Sequence, residues 1–492
     1  MCGIVGIFDS RDRRPIDRRM LNAMNDSIAH RGPDGDGLHV GPGIGLGQRR
    51  LAIIDVAGGR QPIYNETGEV AVMFNGEIYN FHEVRAALEA RRHRFATRSD
   101  TEVIVHGWEE WGAACVERLR GMFAIALWDA RAETLFLARD RIGKKPLYYT
   151  TLADGRVLFG SELKALLLEP TLSRVLDPRT VEDYLALGYV PDPKSIYAAV
   201  RKLAPGHTMV WRRRAPEPKP LRYWDVDFST VVPTTEAQAI DRLHAELEEA
   251  VRLRLIAEVP LGALLSGDVD SSAVVSAMAM IESKPVETCS IAFGAASHDE
   301  SAYASAVAER YHTNHMVRRV DTDDFDLIDR MAAIYDEPFA DSSALPTYRV
   351  CGLARERVTV ALSGDGGDEV FGGYVRYRWH VEEARACPVP RRRGPRAAGR
   401  CGRPTRACRA GCASAPRSPS SGATPPPRTS RPSPRSTTAC VTACAGRTWR
   451  RRCRATARSR RSPDPCAARR PRTRWRARST PTCTPTCRAT SW

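Results

Sequence analysis

The sequence predicts an α/β protein with two successive folded parts and a C-terminal tail that forms no core. Residues 2–211 contain many short β-type runs with turn signals and few helical patterns, which predicts α+β layers of sheets covered by helices. Residues 237–386 alternate apolar runs with helical segments, which is typical of a parallel α/β sheet. Residues 387–492 contain no Leu, Ile, Met, Phe or Tyr and cannot bury a core.

The first part is predicted to be rich in strands. Runs of β type occupy residues 4–8, 70–74, 122–128, 134–138 and 157–159. Residues 82–91 have the residue spacing of a helix. A stretch rich in Pro and Arg at residues 211–220 then opens a linker, which we place at residues 212–236.

The second part begins with a helical stretch at residues 237–256 and has apolar runs at 259–265, 286–293 and 358–362. The first run leads into a loop of small residues at 266–272 and a helical segment. Strand, loop and helix in this order bind anions, because loop amides and the helix N-terminus face the ligand. The third run leads into 363–369, a Gly-rich loop whose three acidic residues suit Mg²⁺ bound to nucleotide phosphates. Either loop alone could be an ordinary turn, but two in one domain favour a nucleotide site.

The tail accounts for the basic charge of the chain. The net charge is +16, yet residues 387–492 contain 27 Arg, no Lys and one acidic residue, Asp464. Residues 1–386 therefore carry −10, and ten of the 14 Cys lie in the tail. We expect the tail, residues 387–492, to be disordered and the protein to have no nucleic-acid partner.

Three interpretations of the tail compete. A basic arm for nucleic acid would also use Lys, and a metal-binding array would pair Cys-x-x-Cys motifs with His. Translation of GC-rich DNA in a shifted frame yields the Arg, Pro, Ala, Ser, Thr, Cys and Trp that are found. With permitted codons, residues 474–492 read LARAQYADLHTYLPGDIL in the shifted frame, a plausible soluble helix and loop. We therefore favour a frameshift or a sequencing error near residue 386.

The location is predicted from two absences in the sequence. No apolar run reaches the roughly 20 residues of a membrane-spanning helix. No secretory signal opens the chain. We expect a cytoplasmic protein that has no membrane partner.

Cys2 is the first candidate catalytic residue. Removal of the initiator methionine would make it the N-terminal residue, with an α-amino group of pKa about 7.7–8.0 beside its thiol. One residue could then supply both the nucleophile and the base. A lone Cys near a chain start usually has no role, so the prediction depends on motifs further along the chain.

Three such motifs lie in the first hundred residues. Arg50 heads an apolar run, where it could clamp a carboxylate or merely end a strand. Asn75 and Gly76 end a β-type run, and they predict either a tight turn or an oxyanion hole made by the amide and a backbone N–H. Asp100 stands at a helix start, where it is either helix-end charge or the partner of a substrate ammonium.

Together, Cys2, Arg50, the Asn75-Gly76-Glu77 motif and Asp100 resemble the glutaminase domain of class II, N-terminal-nucleophile amidotransferases over residues 2–211. The resemblance implies that Cys2 attacks the side-chain amide of glutamine, forms a γ-glutamyl thioester and releases ammonia. It implies an oxyanion hole formed by Asn75 and Gly76. The glutamine-binding residues it implies are Arg50 for the α-carboxylate, Asn75, and Glu77 and Asp100 for the α-amino end.

The second part resembles the ATP-pyrophosphatase domain of glutamine-hydrolysing asparagine synthetases, because of its two loops at 266–272 and 363–369. The resemblance implies that Asp270 and Asp368 hold Mg²⁺ and that Asp365 supports formation of an aspartyl-adenylate. The ATP-binding residues it implies are Leu265, Ser266, Gly267, Asp270, Ser271, Ser272, Ile291, Ser363 and Gly364.

The implied reaction joins both parts. Ammonia released at Cys2 would attack a β-aspartyl-adenylate to give asparagine, AMP and pyrophosphate. The pattern is also similar to bacterial amidotransferases of exopolysaccharide and exosortase clusters, so another carboxylate is an alternative acceptor, and an uncoupled glutaminase is a second alternative. The expected partners are glutamine, aspartate or another carboxylate, and ATP, and a homodimer stays open.

Two departures from the family bear on activity. Asp268 stands where the family has a glycine, and glycine tolerates backbone geometry that Asp largely cannot. We therefore expect the Cβ and the charge of Asp268 to weaken ATP binding. We expect the resemblance to end near Ala386, so that the family's C-terminal helices and a transition-state lysine are missing. The synthetase step is therefore expected to be weak or absent, and the protein poorly soluble because apolar surface is exposed.

Overall fold

A computed structural model describes residues 2–229, 232–293, 299–320 and 327–386. The described residues divide into two units, with the division after Gly367. The predicted disorder and frameshift of residues 387–492 lie outside the described residues. In the described ranges, every helix is too short or too polar to traverse a lipid bilayer.

The first part is built mainly from antiparallel strands. Its strands are β1 (Gly3–Asp9), β2 (Gly35–Gly41), β3 (Ile44–Arg50), β4 (Ile63–Tyr64), β5 (Val70–Ile78), β6 (Gly121–Asp129), β7 (Thr134–Arg139), β8 (Tyr148–Thr151), β9 (Arg156–Gly160), β10 (Arg201–Lys202), β11 (His207–Arg212) and β12 (Leu221–Arg222). Its α-helices are α1 (Arg18–Ser27), α2 (Phe81–Glu89), α3 (Glu102–Trp111), α4 (Leu163–Leu166) and α5 (Pro178–Leu187).

Two six-stranded sheets face each other in this part, in the orders β10-β8-β9-β1-β3-β2 and β12-β11-β7-β6-β5-β4. Their shared core contains Ile4 and Phe159 from one sheet and Met73, Leu137 and Trp211 from the other. Apolar residues of α2 and α3 cover the outer face of the second sheet, and those of α1 and α4 cover the first. The layered sheets covered by helices that the sequence predicts are thus confirmed.

The second part has parallel strands. Its elements are α6 (Glu236–Arg254), β13 (Leu261–Leu264), α7 (Val269–Ile281), β14 (Glu287–Phe293), α8 (Ser301–Arg310), β15 (Asn314–Val320), α9 (Ile328–Ile334), α10 (Ala344–Ala354), β16 (Val360–Leu362), α11 (Gly367–Phe371) and α12 (Val375–Ala386). The sheet order is β15-β14-β13-β16, with every pairing parallel. The predicted parallel sheet is confirmed, although β15 was not among the predicted apolar runs because its side chains are mainly polar or half-exposed.

The predicted linker at 212–236 is only partly a connection. The pairing of β12 with β11 extends the first part's sheet to Arg222. Helix α6 then begins at Glu236, where Thr235 and Gln238 form a capping box.

A loop between α9 and α10 joins the two parts within the first unit. The Glu337 carboxylate accepts hydrogen bonds from the Ile196 N–H at 2.7 Å and the Tyr148 hydroxyl at 3.2 Å, and it pairs with the Lys202 ammonium at 2.5 Å. The neighbouring Asp336 accepts a hydrogen bond from the Lys164 N–H at 3.1 Å. Charged groups of the second part are therefore buried against the first.

Candidate active site

Cys2 directly precedes β1, a central strand flanked by β9 and β3. Its Sγ accepts a hydrogen bond from the Leu51 N–H at 3.3 Å, and its carbonyl accepts one from Arg31 Nε at 2.9 Å. Burial raises the pKa of the Cys2 thiol, and this exceeds the lowering by the Leu51 N–H. The resting thiol is therefore protonated at neutral pH, and catalysis through it needs a base.

The Asn75-Gly76 pair lies inside β5 rather than in a turn, so the tight-turn interpretation is wrong. A Cβ on residue 76 would come within 2.0 Å of the Met122 carbonyl oxygen on β6, which explains the glycine. Asn75 is 1% exposed, and its Nδ2 donates to Ser161 Oγ at 3.3 Å. Its Oδ1 has no hydrogen-bond partner among the described residues. The amide is thus fixed in place by burial.

A cavity of about 550 Å³ contains the residues that the sequence assigns to glutamine. These lining residues are Cys2, Arg50, Asn75, Gly76, Glu77 and Asp100. The same cavity is lined by Ser363 and Asp365, which follow β16 of the second part. Residues assigned to different chemical steps therefore share one cavity.

Arg50 is held by its own loop. Its guanidinium donates to the carbonyl oxygens of Ile54, Asp55 and Val56 at 3.3, 2.7 and 2.9 Å. The side chain is 8% exposed, so it occupies one defined position at the cavity wall. A fixed guanidinium suits recognition of a carboxylate.

Glu77 and Asp100 are a buried acidic pair in the wall of the cavity. Burial raises the pKa of Glu77 to about 7, with repulsion from Asp100 as a further cause. Burial raises the pKa of Asp100 to about 6, although the Ile78 N–H donates to it at 2.9 Å. A cationic ligand would lower both values, because it favours the charged carboxylates. The pair is suited to an ammonium group.

Lys145 also lines the cavity, and sequence reasoning missed it. It is 3% exposed, and burial lowers its pKa to about 8. The Lys145 N–H donates to Asp140 at 3.0 Å, and this carboxylate also accepts from the N–H groups of Phe123 and Lys144. Asp140 lies five residues before Lys145, so the turn after β7 was the local signal that could have indicated this lysine.

The two loops of the second part meet. Gly267 has a φ of +92°, and a Cβ there would come within 2.4 Å of the Ala304 backbone nitrogen. A Cβ on Gly364 would come within 2.6 Å of the Ser271 backbone nitrogen. The loops 266–272 and 363–367 are therefore in close contact at Gly364 and Ser271, whereas Gly267 packs against α8.

Asp268 caps helix α7 in an ordinary extended conformation, with φ −69° and ψ 173°. Its Oδ1 accepts hydrogen bonds from the Ser271 N–H at 2.8 Å and the Ser271 hydroxyl at 2.6 Å. The expectation that this position needs the conformational freedom of glycine is therefore wrong. The expected effect of the charge stays a prediction.

The other predicted ATP-site residues occupy the same region of the sheet. Leu265 is buried, and its carbonyl accepts from Ser290 Oγ at 2.7 Å. Ser266 Oγ lies 2.8 Å from Ser271 Oγ. Ser272 Oγ is buried and has no hydrogen-bond partner in the described ranges. Ile291 is half-buried on β14. Ser363 Oγ donates to Asp365 at 2.8 Å.

The two predicted metal ligands lie on different units. Asp270 is in the first turn of α7, and a Cβ on Gly367 would come within 2.1 Å of its carboxylate. Asp368 is in the first turn of α11 and begins the second unit.

Sequence comparisons cover both parts. The family described as glutamine amidotransferase domain matches residues 1–224, and the family described as asparagine synthase matches residues 242–477. The second match continues past residue 386, where we expected the resemblance to end, so that boundary stays a prediction.

Two relatives carry the same pair of activities in their names. Glutamine-hydrolysing asparagine synthetase 2 of Methanocaldococcus jannaschii is 37% identical, covering 77% of this chain and 76% of that protein. Glutamine-hydrolysing asparagine synthetase 1 of Bacillus subtilis is 35% identical, covering 77% of this chain and 60% of that protein. The chain thus spans less than two thirds of the Bacillus relative. With both domain families matched in this order and this identity to the archaeal protein, the chain belongs to the glutamine-hydrolysing asparagine synthetase family.

Proposed function

We propose that this chain hydrolyses glutamine at Cys2 and uses the ammonia to amidate the β-carboxylate of aspartate, with ATP cleaved to AMP and pyrophosphate. The observation that carries the proposal is the shared cavity, which Cys2 lines together with Ser363 and Asp365. Ammonia formed at the thiol can then reach an acyl-adenylate without crossing bulk solvent, where it would be protonated.

Glutamine binding is assigned to fixed charges in the cavity. Arg50 receives the α-carboxylate, and the pair Glu77 and Asp100 receives the α-ammonium. Burial raises the pKa values of both carboxyls. Binding of the ammonium therefore brings proton release, and this favours glutamine over analogues that lack the amino group.

Hydrolysis begins with transfer of the Cys2 thiol proton to the α-amino group, once Met1 has been removed. The thiolate attacks the side-chain carbonyl carbon, and the negative oxygen accepts hydrogen bonds from Asn75 Nδ2 and the Gly76 N–H. The amine returns the proton to the leaving nitrogen, which departs as ammonia and leaves a γ-glutamyl thioester. Water then hydrolyses the thioester to glutamate and regenerates the thiol. The nearby Lys145 charge favours the thiolate.

The second step is assigned to the loops 266–272 and 363–367. Backbone amides of both loops face the ATP phosphates, and Asp365 supports attack of the aspartate carboxylate on the α-phosphorus. Asp270 and Asp368 each offer the carboxylate oxygens that Mg²⁺ prefers, and the charge of the ion would neutralise the phosphates. The protein is proposed to act in the cytoplasm, and a homodimer is its proposed assembly.

An uncoupled glutaminase is the second candidate function. It is favoured by the Asp268 carboxylate, which already accepts from the first-turn N–H of Ser271 where a phosphate would bind. Glutamine hydrolysis would then continue while adenylation is slow.

The test measures both half-reactions on the same preparation. Glutamate release is followed with and without ATP, and asparagine and pyrophosphate are followed with aspartate, MgATP and either glutamine or ammonium chloride. Coupled synthesis gives asparagine from glutamine, whereas glutamate release without asparagine or pyrophosphate supports the uncoupled glutaminase. Absence of glutamate release from a folded chain lacking Met1 contradicts both candidates. Cys2→Ala is the control, because it removes glutamine-dependent ammonia and spares ammonia-dependent synthesis.

A further inference from the structure

We propose that the glutaminase part of the chain carries a binding site for a divalent transition metal, with Zn²⁺ as the expected ion. Its ligands are Glu66, His93, His106 and Glu109. One ligand atom from each of the four lies within 4.8 Å of the others. None of the four lines the cavity of Cys2. The site is therefore separate from the proposed reaction.

The four residues come from three separate segments. Glu66 lies in the turn between β4 and β5, and His93 lies in the loop that follows α2. His106 and Glu109 are one turn apart on α3, so they project from the same face of the helix. A metal ion here would tie both connecting segments to α3.

Three of the separations between ligand atoms are close to those around a tetrahedral ion, and all lie within 4.8 Å. His106 Nδ1 lies 3.2 Å from Glu109 Oε2 and 3.6 Å from Glu66 Oε2, and His93 Nδ1 lies 3.8 Å from Glu109 Oε2. Bonds of about 2.0–2.2 Å to a tetrahedral Zn²⁺ place neighbouring ligand atoms about 3.3–3.6 Å apart. The four groups can therefore close on an ion through small side-chain rotations.

Each histidine has a carboxylate near its second ring nitrogen, Nε2. His106 Nε2 lies 3.7 Å from Glu102 Oε1, and His93 Nε2 lies 3.7 Å from Glu110 Oε2. His106 is 0% exposed, and its Nε2 has no partner within hydrogen-bond distance in the described part of the chain. Metal-binding histidines present one ring nitrogen to the ion and the other to such a carboxylate, which fixes the ring.

Each glutamate is also oriented by a hydrogen bond to its Oε1. Glu109 Oε1 accepts a hydrogen bond from Asn65 Nδ2 at 2.7 Å, and Glu66 Oε1 accepts one from the Arg94 N–H at 2.9 Å. The second oxygen of each carboxylate faces His106. Two imidazole nitrogens and two carboxylate oxygens are a ligand set that suits Zn²⁺, and the ion would balance the acidic groups around His106.

The test is carbethoxylation of histidine by diethyl pyrocarbonate, mapped by mass spectrometry on the purified full chain. The chain is first freed of metal with a chelator, and the reaction is run with and without Zn²⁺ alone. We expect Zn²⁺ to reduce modification of His93 at least fivefold and to leave the exposed His82, outside the cluster, unchanged. Equal modification of His93 with and without Zn²⁺ would overturn the proposal.

Bound zinc in variants gives an independent measurement. The thiols of Cys2 and of the tail are the same in every variant, so any zinc that they hold cancels in the difference from the parent chain. We expect His93→Gln and Glu109→Gln each to lose one equivalent of zinc, while His82→Gln retains it. Retention of all zinc by the folded cluster variants contradicts the site. If a variant does not fold, the carbethoxylation of the unmutated chain still decides the question, whatever the outcome for the proposed synthetase reaction.

Discussion

The carboxylate of Asp268 accepts hydrogen bonds from both the backbone N–H and the hydroxyl of Ser271, at 2.8 and 2.6 Å. A fixed anion thus occupies the N-terminal turn of α7, the place where the strand-loop-helix arrangement would otherwise offer an amide to a phosphate. We therefore expect the Asp268 side chain to compete with the nucleotide phosphates.

Replacement of Asp268 should strengthen ATP binding. We expect Asp268→Asn, which keeps the helix cap and removes the charge, to lower the Kd for MgATP about tenfold, equivalent to about 1.4 kcal/mol. Asp268→Gly should do at least as much at a stability cost of a few tenths of a kcal/mol. Equilibrium binding of MgATP to the three chains checks this. An unchanged Kd in both variants would show that the carboxylate does not oppose the phosphates.

The position of the α-amino group should control glutamine hydrolysis. Insertion of one Ala between Met1 and Cys2 keeps the thiol but moves the amine away from it. We expect glutamate release to fall by a factor on the order of 10²–10⁴, the usual contribution of a general base. Mass spectrometry of the N-terminus verifies methionine removal in the parent chain. Full activity of the insertion variant would assign the base elsewhere.

The Glu77–Asp100 pair predicts a pH-dependent stability. Their folded pKa values of about 7 and about 6 lie above the ordinary 4.5 and 3.8, so the folded state binds protons more tightly than the unfolded state. Their contribution is most favourable below pH 3.8–4.5 and is lost as the pH rises through 6 and 7.

Thermal unfolding between pH 4 and 8 tests this contribution. The Tm of the parent should fall more across this range than the Tm of Asp100→Asn. Glutamine should reduce this difference, because its ammonium stabilises the charged pair. Parallel Tm profiles for the parent and the variant in the absence of glutamine would show that the buried charges of this pair do not destabilise the folded chain.

Gly76 should tolerate no side chain. In Gly76→Ala the new Cβ would lie 2.0 Å from the Met122 carbonyl oxygen, so β5 and β6 must separate at the proposed oxyanion hole. We expect a loss of about 1–3 kcal/mol in stability and a fall of about 10²-fold in kcat for glutamine hydrolysis. Gly35→Ala is the matched control, because nothing lies within 4 Å of its Cβ position. Equal effects of both substitutions would remove the steric explanation.

The coding DNA should carry a frame error. We expect the nucleotide sequence across codons 375–395 from an independent isolate to differ by an inserted or deleted base. An intact frame would make the sequence of residues 387–492 genuine and would reopen the prediction of a weak synthetase.

The fold and the grouping of the candidate glutamine residues in one cavity could largely be predicted from the sequence, because the information lies in local patterns. Apolar runs such as 122–128 and 358–362 lie in β6 and at β16, and the Asn75-Gly76 motif lies in the cavity wall beside Cys2. Lys145 was missed although Asp140, which accepts a hydrogen bond from its N–H, lies only five residues earlier in the chain. The conformation of Asp268 was inferred wrongly, because a family glycine does not by itself imply positive φ.

The buried pairing of Glu337 with Lys202 has an evolutionary consequence. Their side chains are 10% and 11% exposed, and they come from opposite halves of the gene. Recombination that exchanged only one half would strand an unpaired buried charge, at a cost of about 3–5 kcal/mol. Such chimaeras would be eliminated unless both residues changed together. This contact therefore favours inheritance of the two parts together over their exchange as independent modules.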